Sequence, residues 1–126
     1  MARSKAEWIL RFKQEATQHV QALIEELDKF EKISGLAEDS VTIEPGLSEP
    51  ELINLHELLR LAHTIKGSAA MVALFEISSL ALQLEQTFNE SYRAEERLTS
   101  AQHQAAQALI NQLQLKIAEL PSAGPS

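Results

Sequence analysis

Apolar side chains recur at intervals of three and four residues in four separate stretches of the chain. That spacing places them in one stripe along an α-helix. It predicts helices over residues 4–33, 49–73, 75–92 and 100–120. No internal repeat, strand-like alternation or long heptad pattern competes with this assignment. We therefore expect an all-α fold, an antiparallel four-helix bundle whose apolar stripes face one another.

Polar and special residues mark most of the predicted helix ends. Ser48 and Glu51 have the spacing of a capping box at the start of the second helix, with Pro50 in its first turn. Gly35 suits the C-terminal cap of the first helix. N-cap residues also begin the first and fourth helices, namely Ser4 and either Thr99 or Ser100. The break after Leu74 has the weakest signal, because no glycine or proline marks it.

The chain has 126 residues, of which 44% are hydrophobic, enough for one domain with a real core. We place this domain at residues 1–120. Residues 34–48 form an acidic loop punctuated by glycine, proline and serine. Residues 121–126 consist of proline, serine, alanine and glycine, which is typical of the start of a linker.

Charge and composition exclude several classes of function. The net charge of −7 argues against binding to nucleic acid or to an anionic membrane, since both need a basic surface. The absence of cysteine excludes disulfides and thiolate metal sites. The sequence has no signal peptide and no apolar run of spanning length, so a cytoplasmic location is the simplest expectation.

The second helix carries the candidate chemistry. Helical geometry places His63 roughly 140–160° from the middle of the apolar stripe, so its ring is expected to point to solvent. Lys66 lies about 60° to one flank of this histidine by the same geometry. The side of His63 is shared by His56, Arg60, Gly67 and Ala70, and the apolar stripe consists of Leu58, Leu61, Ile65, Ala69 and Val72.

This arrangement suits the acceptance of a phosphoryl group. A neutral imidazole nitrogen is a fair nucleophile, and Lys66 could lie over the added negative charge. Gly67 would let a partner approach closely, and it is a costly choice, since glycine inside a helix is about 1 kcal/mol less favourable than alanine. Spacing alone favours the simpler interpretation of an exposed histidine, a solvated lysine and a tolerated glycine.

Residues 62–69, with the sequence Ala-His-Thr-Ile-Lys-Gly-Ser-Ala, resemble the signature of histidine phosphotransfer (HPt) domains. The likeness is greatest to the N-terminal phosphotransfer domain of CheA-like chemotaxis histidine kinases, and it covers roughly residues 8–120. Glu85 falls where CheA-like domains carry a glutamate that bonds the active histidine. The chain departs from the family pattern at Ala73 and Ala70, where glycine is usual or frequent, and at Leu82, where CheA-like domains often have a second histidine.

The resemblance implies that His63 accepts phosphate on Nε2, that Lys66 assists the transfer, and that Glu85 orients the ring through Nδ1. It implies a binding surface made of Gly67, Thr64, Ser68, Arg60 and Ala70. For Thr64 and Ser68, hydrogen bonding to the phosphoryl oxygens and to their own helix backbone are both open. The histidine pattern gives no metal site, since His19, His56 and His103 are scattered.

The implied partners are a histidine-kinase ATPase domain as donor and a response-regulator receiver domain as acceptor. The chain has no Gly-rich phosphate loop and so should not bind ATP by that route. We expect a monomer with no cofactor, and the magnesium for transfer would sit on the partner. Three kinds of parent protein agree with the sequence: a CheA-like kinase, a hybrid kinase that carries this domain as its tail, and a free-standing carrier. The features that favour the CheA-like kinase are Met1, the first helix and the linker-like C-terminus.

Two other classes of function stay open. One is a degenerate HPt bundle that serves only as a structural or adaptor module, which the alanines at positions 70 and 73 keep in view. The other is an enzyme that uses His63 and Glu85 as an acid–base pair. The absence of a third catalytic group counts against it.

Overall fold

The computed structural model describes residues 4–38, of which 35–38 for the backbone alone, and residues 46–122. The described residues form four α-helices: α1 (Lys5–Glu38), α2 (Glu49–Met71), α3 (Phe75–Ala94) and α4 (Ser100–Ala118). No strand occurs in these two ranges. The all-α prediction is confirmed. The predicted loop at 34–48 and tail at 121–126 lie partly outside the described residues, as does the start of the predicted domain.

Contacts between neighbouring helices show that each adjacent pair runs antiparallel. Ser34 near the end of α1 meets Glu51 near the start of α2, while Lys13 near the start of α1 reaches the carbonyl of Ala118 at the end of α4. Each helix packs against two others, in the cyclic order α1, α2, α3, α4. Within the part of the chain that the structure describes, twenty-one buried hydrophobic residues fill the centre, among them Leu23, Leu58, Leu84 and Leu113 with no exposed surface.

The predicted N-terminal caps form as their chemistry requires. The Ser4 hydroxyl accepts from the backbone N–H of Glu7 at 3.2 Å, which caps α1. Ser48 and Glu51 form the capping box of α2. Thr99 forms a second capping box at the start of α4 with Gln102, which settles the choice between Thr99 and Ser100.

All four predicted C-terminal helix ends differ from the structure. α1 continues through Gly35 to Glu38, so Gly35 is not a cap, because a helical glycine costs only about 1 kcal/mol. α2 ends at Met71 rather than at 73, because Ala73 adopts a left-handed conformation with φ of 60°. The N–H of Ala73 then donates to Ala70 and that of Leu74 to Ala69, a Schellman motif formed without glycine. The end of α4 lies at Ala118, two residues before the predicted one.

The end of α3 has the same kind of left-handed turn as the end of α2. The helix extends to Ala94, two residues past the prediction, and Glu95 follows with φ of 53°. Its N–H donates to the carbonyl of Tyr92, and the N–H of Glu96 donates to that of Ser91. The α2–α3 and α3–α4 connections therefore both turn on a left-handed residue that has a side chain.

A buried carboxylate ties three segments together at one end of the bundle. Glu51 is 1% exposed. It accepts from the backbone N–H of Ser48 at 3.0 Å, from the Ser34 hydroxyl at 2.8 Å and from Nε of Arg97 at 2.8 Å. Burial would raise the pKa of Glu51, but these hydrogen bonds outweigh burial and lower it. This carboxylate therefore stays charged inside the fold and joins α1, α2 and the α3–α4 connection.

None of the helices in the described residues is long and apolar enough to cross a membrane.

Candidate functional site

The packing of α2 decides where His63 points. Its neighbours Leu61, Ala62 and Ile65 are buried, with 2%, 0% and 1% of their surface exposed. Because these residues fix the rotation of the helix against the core, the next positions face outward. The side chain of His63 is 69% exposed, as the helical geometry predicts. The ring therefore projects from a rigid helix into solvent.

Glu85 joins α3 to this histidine. On α3, Ala81, Leu84 and Phe88 have no exposed surface, which places Glu85 at the edge of the α2–α3 interface. Oε2 of Glu85 lies 2.6 Å from Nδ1 of His63. The side chain of Glu85 is 19% exposed, so this contact is partly shielded from water on one side. The structure thus brings together two residues that stand 22 positions apart in the chain.

Lys66 contacts the other carboxylate oxygen of Glu85. Its Nζ lies 2.7 Å from Oε1 of Glu85, and its side chain is 28% exposed. Helical spacing did not predict this ion pair. One carboxylate therefore bridges the imidazole of His63 and the ammonium of Lys66.

The protonation of the group follows from these contacts. Burial would raise the pKa of Glu85, but the hydrogen bonds and charges of Lys66 and His63 lower it below its usual range. An ionised carboxylate can only accept hydrogen bonds, so Nδ1 of His63 must be the donor. In the neutral ring the lone pair then lies on Nε2. Nε2 is the nitrogen left available for chemistry.

Gly67 and Ala70 lie on the exposed side of α2. A Cβ added at Gly67 would meet no atom within 4 Å outside its own stretch of helix. Packing within the domain therefore does not require the glycine. Because position 67 has no side chain, the surface next to His63 is open, and another protein can approach it closely.

Thr64 and Arg60 are engaged within their own helix. The Thr64 hydroxyl donates to the Arg60 carbonyl at 2.8 Å, the back-bonding alternative for this residue. The Arg60 guanidinium pairs with Glu57, with Nε 3.0 Å from Oε2. Ser68 borders a hollow between α1 and α2 with Trp8 and Phe12. Of the predicted binding residues, Ser68 therefore faces α1.

Two further residues of α3 shape the site. The Ser78 hydroxyl donates to the backbone carbonyl of Lys66 at 2.9 Å. The sequence offers no sign of this bond beyond the spacing of seven residues between Ser78 and Glu85. Leu82, one turn before Glu85, is 39% exposed. An apolar side chain is therefore exposed to solvent one turn from Glu85.

His56 and His103 have different surroundings. The His56 ring packs 6.0 Å from the Tyr92 ring, centroid to centroid. Nε2 of His103 lies 3.7 Å from Oε2 of Glu31, beyond hydrogen-bond distance. Among the described residues, no group of three histidine, aspartate or glutamate side chains is arranged to hold a metal ion. His63 differs from His56 and His103 in combining an exposed ring with a close carboxylate at Nδ1.

Comparison with known proteins agrees with this geometry. The model of the Hpt domain family matches residues 7–123, nearly the whole chain. Members of this family carry out histidine phosphotransfer in phosphorelay signalling and interact with histidine kinases and response regulators. No curated protein and no solved structure gives a significant match. The extent of the family match, together with the four helices, shows that this chain belongs to the Hpt domain family.

Proposed function

We propose that His63 is the phosphoacceptor of this domain, and that it takes a phosphoryl group on Nε2 from a histidine-kinase ATPase domain and passes it to a receiver aspartate. One observation carries the proposal: Glu85 holds Nδ1 at 2.6 Å while the ring is 69% exposed. The nucleophilic nitrogen is thereby turned outward on a ring that cannot rotate freely. An exposed ring gives a small substrate no enclosure, which argues against an acid–base enzyme.

In the first step the Nε2 lone pair attacks the γ-phosphorus of an ATP held by the kinase. A bond forms between Nε2 and phosphorus, and the bond from phosphorus to the bridging oxygen breaks, so ADP leaves. The proton on Nδ1 stays in place, and the ring takes up positive charge. The Glu85 carboxylate, already 2.6 Å from Nδ1, stabilises that charge without reorganisation.

In the second step the receiver's aspartate oxygen attacks the phosphorus. The bond between phosphorus and Nε2 breaks, and its electron pair returns to Nε2. The neutral ring with its Nδ1–H is restored, so the site is ready for another cycle. Neutralisation of the phosphoryl oxygens by magnesium belongs to the partner in both steps.

Lys66 has two tasks in this scheme. Before transfer its ammonium lowers the pKa of Glu85 and so keeps the acceptor of the Nδ1–H ionised. When the phosphoryl group brings a charge of about −2, the flexible four-carbon stem lets the same ammonium turn toward the phosphoryl oxygens. Gly67, beside it, leaves room for the partner.

We also propose that the domain is monomeric and cytoplasmic, and that its parent is a CheA-like chemotaxis kinase. The link between Glu85 and His63 supports the last point, because CheA-like domains carry a glutamate at this position. A free-standing carrier or a hybrid-kinase tail would use the same site chemistry.

The test is phosphorylation with a histidine-kinase ATPase domain and labelled ATP. Acid-labile phosphate is expected in the wild type and in His56→Gln, and none in His63→Gln. His56 is a matched control because it is exposed on the same helix. Normal labelling of His63→Gln would refute the assignment. A wild-type domain that binds a receiver domain but takes no phosphate from a panel of kinases would favour the adaptor alternative.

A further inference from the structure

Ser78, near the start of α3, is the partner of a backbone atom inside the proposed site. Its hydroxyl donates to the carbonyl of Lys66 at 2.9 Å. We infer that Ser78 is a positioning residue for phosphoryl transfer, which sets the register of α3 against α2 so that Glu85 meets both His63 and Lys66. This inference rests on the proposed function, because it concerns the same site.

The spacing on α3 matches this role. Ser78 and Glu85 are seven residues apart, so they lie on one face of the helix about 10 Å apart along its axis. Ala81 lies between them with no exposed surface. Ser78 holds the backbone of Lys66, and Glu85 holds its ammonium. The lysine is therefore attached to α3 at both ends.

The direction of the side chains makes the register important. Long side chains on a helix lean toward the N-terminus of that helix. Because α2 and α3 are antiparallel, Lys66 and Glu85 lean toward each other. A slide of α3 by one residue, about 1.5 Å, would exceed what hydrogen bonds of 2.6 and 2.7 Å tolerate. Apolar packing is non-directional and resists such a slide less sharply.

The hydrogen bond from Ser78 lies beside the glycine of α2. The Lys66 carbonyl directly precedes Gly67, and a glycine leaves the backbone the most freedom. Ala62 and Ala81 are fully buried, and such small residues let the two helices approach closely enough for a serine hydroxyl to cross between them. Ser78 thereby ties the backbone of α2 to α3 next to this glycine.

The experiment compares Ser78→Ala with Ser79→Ala, its exposed neighbour on the same turn, and with Ser78→Thr, which retains a hydroxyl. The first measurement is ¹⁵N NMR of the His63 ring in the unphosphorylated domain. The second is the rate of transfer to a receiver domain. We expect Ser78→Ala to increase the Nε2–H tautomer and to slow transfer on the order of fivefold. Ser79→Ala should change neither, and Ser78→Thr should restore both.

Several outcomes would overturn the inference. A merely structural serine would lower the unfolding midpoint of Ser78→Ala and leave the His63 tautomer as in Ser79→Ala. Equal behaviour of Ser78→Ala and Ser78→Thr would show that the hydroxyl is not the cause. Alanine is a good helix former, and circular dichroism checks that the variant folds. Failure of the wild type to take phosphate refutes the proposed function itself, whereas an unchanged tautomer in Ser78→Ala beside normal wild-type transfer refutes the role of Ser78 alone.

Discussion

The ammonium of Lys66 lies 2.7 Å from Oε1 of Glu85, so the cation one turn beyond His63 is already paired before any phosphoryl group arrives. The side chains are 28% and 19% exposed, which leaves their attraction less screened than that of a free surface pair. The same carboxylate also holds His63. Changes at these three residues are therefore expected to be non-additive.

Lys66→Ala should raise the pH at which the Glu85 carboxyl titrates. The hydrogen bond and the charge of Lys66 both lower the pKa of Glu85, and the variant loses both. The measurement is a pH titration of the carboxyl carbons by ¹³C NMR. Lys116→Ala is the control, because it breaks a pair between α4 and Glu76 of α3. Equal titration of Glu85 in the wild type and in Lys66→Ala would contradict the pairing.

Glu85→Gln should loosen the His63 ring while preserving the size of the side chain. The amide keeps an acceptor but loses the charge that favours Nδ1–H, so the Nε2–H tautomer should become populated. Charge-assisted hydrogen bonds are roughly twice as strong as neutral ones, and we expect phosphoryl transfer to slow about tenfold. Ring ¹⁵N shifts and transfer rates provide the measurements, with Glu90→Gln on the same helix as control. An unchanged tautomer would make Glu85 a bystander.

Gly67→Ala should stabilise the domain and impair its transfer. The added methyl group meets no neighbouring atom, so the gain in helix propensity of about 1 kcal/mol should appear in the free energy of unfolding. The same methyl group would occupy space beside His63 that a partner protein needs in order to approach the ring. Urea unfolding measures the first effect and transfer kinetics the second. A variant that is more stable and transfers at the wild-type rate would remove the functional reason for the glycine.

Ala73→Gly should also stabilise the domain, for a different reason. Ala73 has φ of 60°, where a side chain is strained and glycine is not. After allowance for the greater unfolded-state entropy of glycine, the gain should be about 0.5–1 kcal/mol. Ala70→Gly is the matched control: it lies inside α2 and should lose about 1 kcal/mol. Thermal unfolding distinguishes the two signs, and equal effects would refute the left-handed assignment.

Glu51→Ala should destabilise the fold by about 2–3 kcal/mol at neutral pH, because it removes a capping box and leaves Arg97 without its partner. Burial opposes ionisation of Glu51, yet its hydrogen bonds lower its pKa below the ordinary 4.5. Its contribution is therefore complete above pH 4.5 and is lost as the pH falls through the lower folded value.

The stability difference between the wild type and Glu51→Ala should accordingly narrow in acid. Urea unfolding at pH 7 and at successively lower pH values measures it. Glu49→Ala, an exposed change in the same first turn, should lose far less. A pH-independent difference would show that the charge of Glu51 does not contribute.

Periodicity and capping chemistry were sufficient to predict the four helices and the outward position of His63. They misplaced the ends that depend on the backbone, because Ala73 and Glu95 take the left-handed conformation that glycine usually signals. Gly35 misled in the opposite direction and lies within α1. Alanine and glutamate give no sequence signal of a positive φ angle, and the surrounding packing determines it at both positions.

The site could be predicted in part for a similar reason. His63 followed from one helix, and Glu85 from family resemblance. The pair of Lys66 with Glu85 and the hydrogen bond from Ser78 depend on how far α3 is shifted along α2. The helical period shows on which side of its helix a residue lies, but not which residue of the neighbouring helix is level with it. The contacts of Lys66 with Glu85 and with Ser78 therefore could not be predicted from the sequence.

The turn at Ala73 has a consequence for how the site assembles during folding. It joins α2 and α3 directly, so the carboxylate and imidazole that meet are only 22 positions apart. Loop-closure entropy is small at this separation, and local contacts of this kind form early in rapidly folding helical proteins. The site belongs to one helical hairpin, which can acquire its geometry before α1 and α4 complete the bundle.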